Sequence, residues 1–320
     1  MSRIGTPARS LLVLMFLIGC SPTLEGARSR LIATDSGTIE FASAGTLNRT
    51  PTRLIPGDPV ALAGDLRFPA GPGPFPAVVL AHGCGGVGNA QRGWVASLNG
   101  AGYATFVLDS FTGRGLTEVC TQSRVLTPVQ RIPDAYGALR LLVTHPKIDA
   151  RHVALMGFSH GGSLTLGAST RWARQTYAAD GGPAFRLFLP FYPGCTARYP
   201  ELLELSAPLR IHSGELDDWT PMIACRALVA EQRAAGQDAE LTTYPGAHHG
   251  FDNVGRALTW LPHVNNGSAC RPESASILGP LLNARELTSC AGKGATVAGN
   301  PAATAQARRN VLDQLASLMR

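Results

Sequence analysis

Apolar positions along the chain fall into two kinds of run. Short blocks of aliphatic and β-branched residues are separated by longer stretches whose apolar residues recur at helical spacing. Val60 to Phe68 alternates, as a half-covered strand does, whereas Pro76 to Ala81 is continuous, as a strand buried on both faces is. Tyr103 to Leu108, Val153 to Met156, Leu187 to Leu189, Leu209 to Ile211 and Leu241 to Tyr244 repeat the strand signal. The helical stretches predict helices over Trp94 to Gly100, Pro128 to Thr144, Ser163 to Tyr177, Pro221 to Ala235 and Ala303 to Met319. Strands alternating with room for helices predict an α/β fold, with a mostly parallel central sheet and helices on both faces. In such a fold the chemistry belongs at the carboxyl ends of the strands. A polar, Gly-rich stretch at about 253–300 interrupts the rhythm and reads as an insertion before the last helix.

The amino terminus follows a different logic. Arg3 and Arg9 precede the apolar run Leu11 to Ile18, which is too short to span a bilayer and reads as a signal peptide over residues 1–20. Leu17-Ile18-Gly19-Cys20 resembles a bacterial lipoprotein cleavage box, which makes Cys20 a candidate for acylation. Residues 21–54 are then a tether and first strand, and 55–320 the folded domain. The expectation is an exported, periplasmic or envelope-anchored bacterial lipoprotein that meets a membrane only through a lipid on Cys20. The alternative is ordinary secretion with Cys20 incidental.

Composition narrows the function classes. The 320 residues, 45% of them hydrophobic, supply the core of one large domain. The net charge of +6 comes from 28 Lys+Arg against 22 Asp+Glu. Only Lys147 and Lys293 are lysines, and Arg308-Arg309 is the only adjacent basic pair, a scatter that argues against a nucleic-acid partner. Without Cys20 an even set of cysteines remains, which in an exported chain suggests disulfides. The simplest sequential scheme is Cys84–Cys120, Cys195–Cys225 and Cys270–Cys290. No C-x-x-C pair, H-E-x-x-H or other ligand spacing among the histidines suggests a metal, and no cofactor is expected.

The sharpest motif is Gly157-Phe158-Ser159-His160-Gly161-Gly162, a G-x-S-x-G placed where an apolar strand ends and a helix begins. A serine hydroxyl needs an imidazole to take its proton and an acid to orient that imidazole. Asp217 or Asp218 follows the strand Leu209 to Ile211, and His248 or His249 follows the next. An oxyanion also needs two backbone N–H groups already aimed at it. His160 is one candidate, and Cys84, in the flexible turn His82-Gly83-Cys84-Gly85-Gly86, is the other. A Cys84–Cys120 bridge would fix that turn and anchor the loop Asp109 to Gly115.

Five segments together resemble the dienelactone hydrolase family of the α/β-hydrolases: Pro76 to Gly86, Leu108 to Gly115, Gly157 to Gly162, Gly214 to Pro221 and Tyr244 to Phe251. The resemblance runs from about Val60 to the carboxyl terminus. It implies Asp217 as the acid, four residues before the proline, and His249 as the base, directly before Gly-Phe. The namesake enzyme uses a cysteine nucleophile, and the matching position here is Ser159. Taken with the signal peptide expected at residues 1–20, the resemblance implies an exported serine hydrolase that cleaves small carboxylic esters or lactones through an acyl-enzyme. Arg114 is a candidate for holding a substrate carboxylate or for bonding carbonyls of its own loop, and Trp219 for lining the pocket. A prolyl-oligopeptidase-like peptidase and a non-catalytic envelope module with the same fold are the other readings.

Overall fold

The computed structural model describes residues 23–178, 181–271, 273–279 and 290–319. Residues 1–20, expected as a signal peptide ending at Cys20, lie outside the described residues. Strand β1 (Gly37–Ala42) is followed by a hairpin of β2 (Thr46–Arg49) and β3 (Leu54–Gly57). Then come β4 (Ala61–Arg67), β5 (Phe75–Ala81), β6 (Ala104–Asp109), β7 (Ile148–Phe158), β8 (Leu187–Phe191), β9 (Leu209–Gly214) and β10 (Ala239–Tyr244). The central sheet has the order β1-β4-β6-β5-β7-β8-β9-β10. The pairs β1/β4 and β4/β6 are antiparallel and the others are parallel.

Strand alternation divides the interior into two layers. Ala77, Val79 and Ala81 of β5 with Val153 and Leu155 of β7 pack into one, while Val78, Leu80, Ala154, Met156 and Phe158 pack into the other. Helices α1 (Asn89–Gly100) and α6 (Pro301–Leu318) cover the second layer through Trp94, Leu98, Ala307, Val311 and Leu315. Helices α2 (Ile132–Leu142), α3 (His160–Ala168), α4 (Arg171–Tyr177) and α5 (Met222–Ala234) cover the first. This is the mostly parallel sheet with helices on both faces that the sequence predicts.

The structure departs from the sequence reading in three places. The helix predicted over Ser163 to Tyr177 is two helices. At the break the hydroxyls of Ser169 and Thr170 bond back to Leu166 and Gly167 carbonyls, and Thr170 caps α4 by accepting from the Ala173 N–H. The stretch expected as a tether to about Arg53 is packed on the domain from Leu31 onward. Leu31 and Phe41 are buried, because the alternation Ile39, Phe41 in β1 gives this segment a core face of its own. Finally, β8 reaches β9 through a 3₁₀ turn, Pro200–Leu203, rather than an α-helix.

All three disulfides of the sequential scheme are present, Cys84–Cys120, Cys195–Cys225 and Cys270–Cys290, consistent with an extracellular protein. The insertion holds an antiparallel pair, β11 (Thr259–Asn266) and β12 (Gly292–Val297), with Cys270–Cys290 between the two strands. Among the described residues no helix is long and apolar enough to cross a membrane.

Candidate active site

Ser159 occupies the single-residue turn between β7 and α3, at φ 53° and ψ −111°. Among the described non-glycine residues only Ser159 and Tyr192 have positive φ, a conformation that costs energy and persists because neighbours enforce it. The enforcement is visible at the flanking glycines. A Cβ at Gly157 would overlap the Gly161 carbonyl, one at Gly161 the Ala81 carbonyl, and one at Gly162 the Phe191 carbonyl. With the Ser159 N–H donating to Phe191 O at 3.0 Å, the hydroxyl is presented at the carboxyl end of the sheet.

The acid and the imidazole arrive from neighbouring strands. Gly214 and Tyr244 are register partners at the ends of β9 and β10, so the loops that follow leave side by side. His249 Nε2 lies 2.8 Å from Ser159 Oγ, and Nδ1 lies 2.8 Å from Asp217 Oδ2. A carboxylate can only accept, so Nδ1 carries the proton and Nε2 is left to accept from the serine hydroxyl. The Trp219 and Thr220 N–H groups hold Asp217 Oδ1 at 2.9 and 2.8 Å. The Asp217 side chain is fully buried. Thr220 Oγ1 sits 3.0 Å from Asp217 Oδ2 and 3.1 Å from His249 Nδ1. The His249 ring lies between those of Tyr192 and Trp219, with centroids 4.7 and 4.8 Å away. Asp218 is directed elsewhere, accepting from the N–H and hydroxyl of Thr296 on β12 at 2.8 and 2.7 Å.

The turn after β5 faces the serine, since a Cβ at Gly83 would stand 3.5 Å from that of Ser159. Cys84 follows, held by its disulfide and by the Val119 N–H on its carbonyl at 2.8 Å. The N–H of His160 belongs to the first turn of α3 and so has no acceptor within the helix. Behind both turns lies Arg131, fully buried. Its Nη1 donates to His82 O at 3.0 Å and to His160 Nδ1 at 2.8 Å. The other His160 nitrogen donates to Leu126 O at 2.9 Å. Burial, reinforced by the Arg131 charge, pushes the His82 and His160 pKa values well below the usual imidazole range, so both rings are neutral. Burial likewise pushes Arg131 down to about 9.

Arg114 points away from the role of carboxylate holder. It makes a bidentate pair with buried Asp134 at 2.8 and 2.7 Å and donates to Ser110 O at 2.7 Å. These bonds use the guanidinium in holding its own loop to α2. Trp219 donates to Asn265 O at 2.9 Å while its ring walls the imidazole. Sequence reasoning missed Thr220, Tyr192, Asp252 and Arg131. Thr220 is discoverable as the third residue after the aspartate that opens the turn. The other three carry no local signal. Tyr192 and Trp94 both donate to Asp252, at 2.6 and 2.7 Å, and burial raises the pKa of that carboxyl.

A cavity of about 830 Å³ opens one helical turn beyond the serine. Ser163, Leu166 and Val129 line its inner side, and Arg124, Asn266 and Lys293 line the side formed by the 121–129 loop and the insertion.

A mostly parallel sheet with a serine on a strained turn between strand and helix defines an α/β-hydrolase. Within that class the chain belongs to the dienelactone hydrolase family, whose sequence profile matches residues 62–273. Family membership makes it a hydrolase of esters or lactones. The chain is 22% identical over 202 residues to a probable 2-oxo-3-(5-oxofuran-2-ylidene)propanoate lactonase from a Bradyrhizobium species, covering 58% of this chain and 77% of that one. Among solved structures it resembles a putative dienelactone hydrolase from Klebsiella pneumoniae, with a TM-score of 0.56, 16% identity, and 88% and 99% of the two chains covered. It also resembles a dienelactone hydrolase-like promiscuous phosphotriesterase from metagenomic libraries, with a TM-score of 0.57, 14% identity, and 89% and 100% covered.

Proposed function

We propose that the chain is an exported serine hydrolase that cleaves small carboxylic esters or lactones through an acyl-enzyme, with Ser159 as nucleophile, His249 as general base and acid, and Asp217 as its orienting carboxylate. One observation carries this reading: the imidazole bridges the Ser159 hydroxyl and the Asp217 carboxylate at 2.8 Å on each side, with the serine on a strained turn. As Ser159 Oγ bonds to the substrate carbonyl carbon, its proton passes to His249 Nε2, and the buried Asp217 stabilises the resulting imidazolium. The charge on the carbonyl oxygen falls to the N–H groups of Cys84 and His160. Arg131 positions both, because its Nη1 ties the strand end that leads into the Cys84 turn to the His160 side chain. Collapse of the tetrahedral species breaks the ester C–O bond as His249 returns the proton to the leaving alkoxide. Water, deprotonated by the same imidazole, then hydrolyses the acyl-serine.

For a lactone the leaving alkoxide stays tethered to the acyl group. The 830 Å³ cavity, whose wall includes Ser163 one helical turn from the nucleophile, is the space we assign to that portion. The likeness to a probable lactonase and to an esterase from Thermogutta terrifontis supports both substrate classes. The signal peptide expected over residues 1–20 supports export and the three disulfides agree with it, and acylation of Cys20 would anchor the domain to a membrane. The test is a p-nitrophenyl ester series from acetate to decanoate, with Ser159→Ala and His249→Ala alongside. Turnover of short esters that both substitutions abolish supports the proposal. Turnover that survives Ser159→Ala, or cleavage of peptide anilides with no ester turnover, overturns it.

A further inference from the structure

The end of the sheet opposite Ser159 carries a surface the chemistry does not use. Two adjoining concavities of about 590 and 410 Å³ lie there, and between them they are lined by Arg151, Arg171, Arg174 and Arg186. Arg151 lies in the first half of β7, Arg186 directly precedes β8, and Arg171 and Arg174 are on α4. Lys147, directly before β7, adds to the charge of this end. Acids answer only part of it. Arg151 pairs with Asp149 at 3.6 Å and Arg171 with Glu204 at 3.5 Å, and both guanidinium groups are exposed, where ion pairs are weak. Arg174 and Arg186 form no ion pair among the described residues.

Part of the amino-terminal segment packs at this same end. The Leu31 N–H donates to Thr144 Oγ1 at 2.9 Å, and His145 Nε2 lies 3.2 Å from Asp35 O. Val143, next in sequence to Thr144, lines the larger concavity. Ahead of Leu31 the chain runs beside β1, the Arg28 N–H donating to Glu40 O at 2.8 Å, and Thr23, three positions after the candidate acylation site Cys20, is the first described residue. From Arg151 to Ser159 the chain runs eight residues along β7, about 25 Å of strand, so the arginines and the serine stand at opposite ends of the domain.

We propose that this arginine-rich end is a docking surface for the anionic phospholipid headgroups of a bilayer, seating the domain with Ser159 facing away from the membrane. Guanidinium groups match phosphate oxygens with paired N–H donors, and they keep their charge at every physiological pH. The orientation rests on the arginines lying opposite Ser159, and the headgroup contact does not depend on the proposed lipid at Cys20. Such a lipid would add a second signal to the arginines, the combination that turns marginal single-chain binding into stable attachment. Substrate would reach Ser159 from the aqueous side.

The test uses the chain from Ser21, which lacks any acyl group and keeps every described element. Its sedimentation with phosphatidylcholine vesicles is compared with that on equal parts phosphatidylcholine and phosphatidylglycerol, at low ionic strength. The wild-type chain should partition onto the anionic vesicles only. The combined substitution of Arg151, Arg171, Arg174 and Arg186 by Gln should weaken that partitioning by on the order of tenfold or more. Arg92→Gln with Arg309→Gln, on α1 and α6, should not change it beyond the small loss that two distant charges cause. Ester turnover reports that each variant is folded, and Arg174→Gln with Arg186→Gln replaces the fourfold variant if that one is not. Absent binding, or equal loss in the distant pair, overturns the proposal. So does displacement by inorganic phosphate beyond that of chloride at matched ionic strength, which would reveal a small-phosphate site. Palmitate labelling of Cys20 in cells tests the anchor separately, so failure of the anchor and failure of the headgroup contact are distinguishable.

Discussion

Replacing Arg131 with methionine separates positioning of the proposed oxyanion site from stability of the fold. The substitution strips His82 O and His160 Nδ1 of their shared donor. Each buried acceptor left unpaired costs about 1–3 kcal/mol, so roughly 2–6 kcal/mol is lost. Against this, burial that pushes the Arg131 pKa down to about 9 disfavours the charged form by roughly 5 kcal/mol, and methionine removes that charge. Arg131 Nε and Nη2 are buried without partners, so their loss leaves nothing further unsatisfied. The two effects are of similar size, and the melting temperature should move by only a few degrees. Catalysis has no such offset. His160 is freed to rotate and the carbonyl before Gly83 loses its tie, so the N–H groups of Cys84 and His160 lose their alignment. A whole oxyanion donor is worth about 10²–10³ in kcat, and partial misalignment should lower kcat roughly 10- to 100-fold with KM little changed. The assay is steady-state p-nitrophenyl acetate hydrolysis beside a thermal melt, with affinity for a trifluoromethyl ketone as the readout of oxyanion binding. Arg131→Lys, which keeps one donor, should recover part of kcat. An unchanged kcat, or a loss of kcat that merely follows a collapse in melting temperature, refutes the reasoning.

Three further outcomes follow from the same contacts. Asp217→Asn removes the carboxylate that fixes the His249 tautomer and should lower kcat by about 10³–10⁴ while preserving the fold, as measured by ester kinetics and circular dichroism. Removing the Cys84–Cys120 bridge with a double Ala substitution, across a separation of 36 residues, should cost up to about 4 kcal/mol and reduce kcat. Opening Cys270–Cys290 in the same way should leave kcat closer to wild type, and equal effects would detach the first bridge from the oxyanion turn. His82, His160 and His212 are buried, which lowers all three pKa values, that of His212 to about 4. Below pH 6.5 the unfolded chain therefore binds more protons than the folded one. Stability present above the unfolded pKa should fall as pH drops toward 4, by up to about 1.4 kcal/mol per pH unit for each histidine. Denaturant melts from pH 7.5 to 4.5 measure this, and a flat profile would contradict it.

The sheet was legible because its strands are buried on both faces and therefore read as continuous apolar runs. Pro76 to Ala81 and Tyr103 to Leu108 became β5 and β6 almost unchanged. The three segments that come together at Ser159 were legible for a related reason. They follow strand ends, and the turn residues that aim them, Gly157, Gly161 and the Asp-initiated turn at 217, are themselves sequence signals. What escaped depends on tertiary contact. The burial of Leu31 and Phe41 needs the partner strand β4, and Arg131 resembles any other arginine until the fold encloses it between His82 and His160. Arg114 shows where sequence leaves a choice open, since a loop position beside a site suits either substrate or its own loop, and the structure adds the bond to Ser110 O and the pairing of both arms with Asp134 on α2.

The central claim is a covalent intermediate on Ser159. The most direct measurement is rapid-quench mass spectrometry of the enzyme mixed with excess p-nitrophenyl butyrate at low pH, followed by peptide mapping. The account predicts a butyryl adduct confined to the peptide containing Ser159, formed with the p-nitrophenol burst and absent from Ser159→Ala. Turnover without an adduct, or an adduct on any other residue, would contradict it.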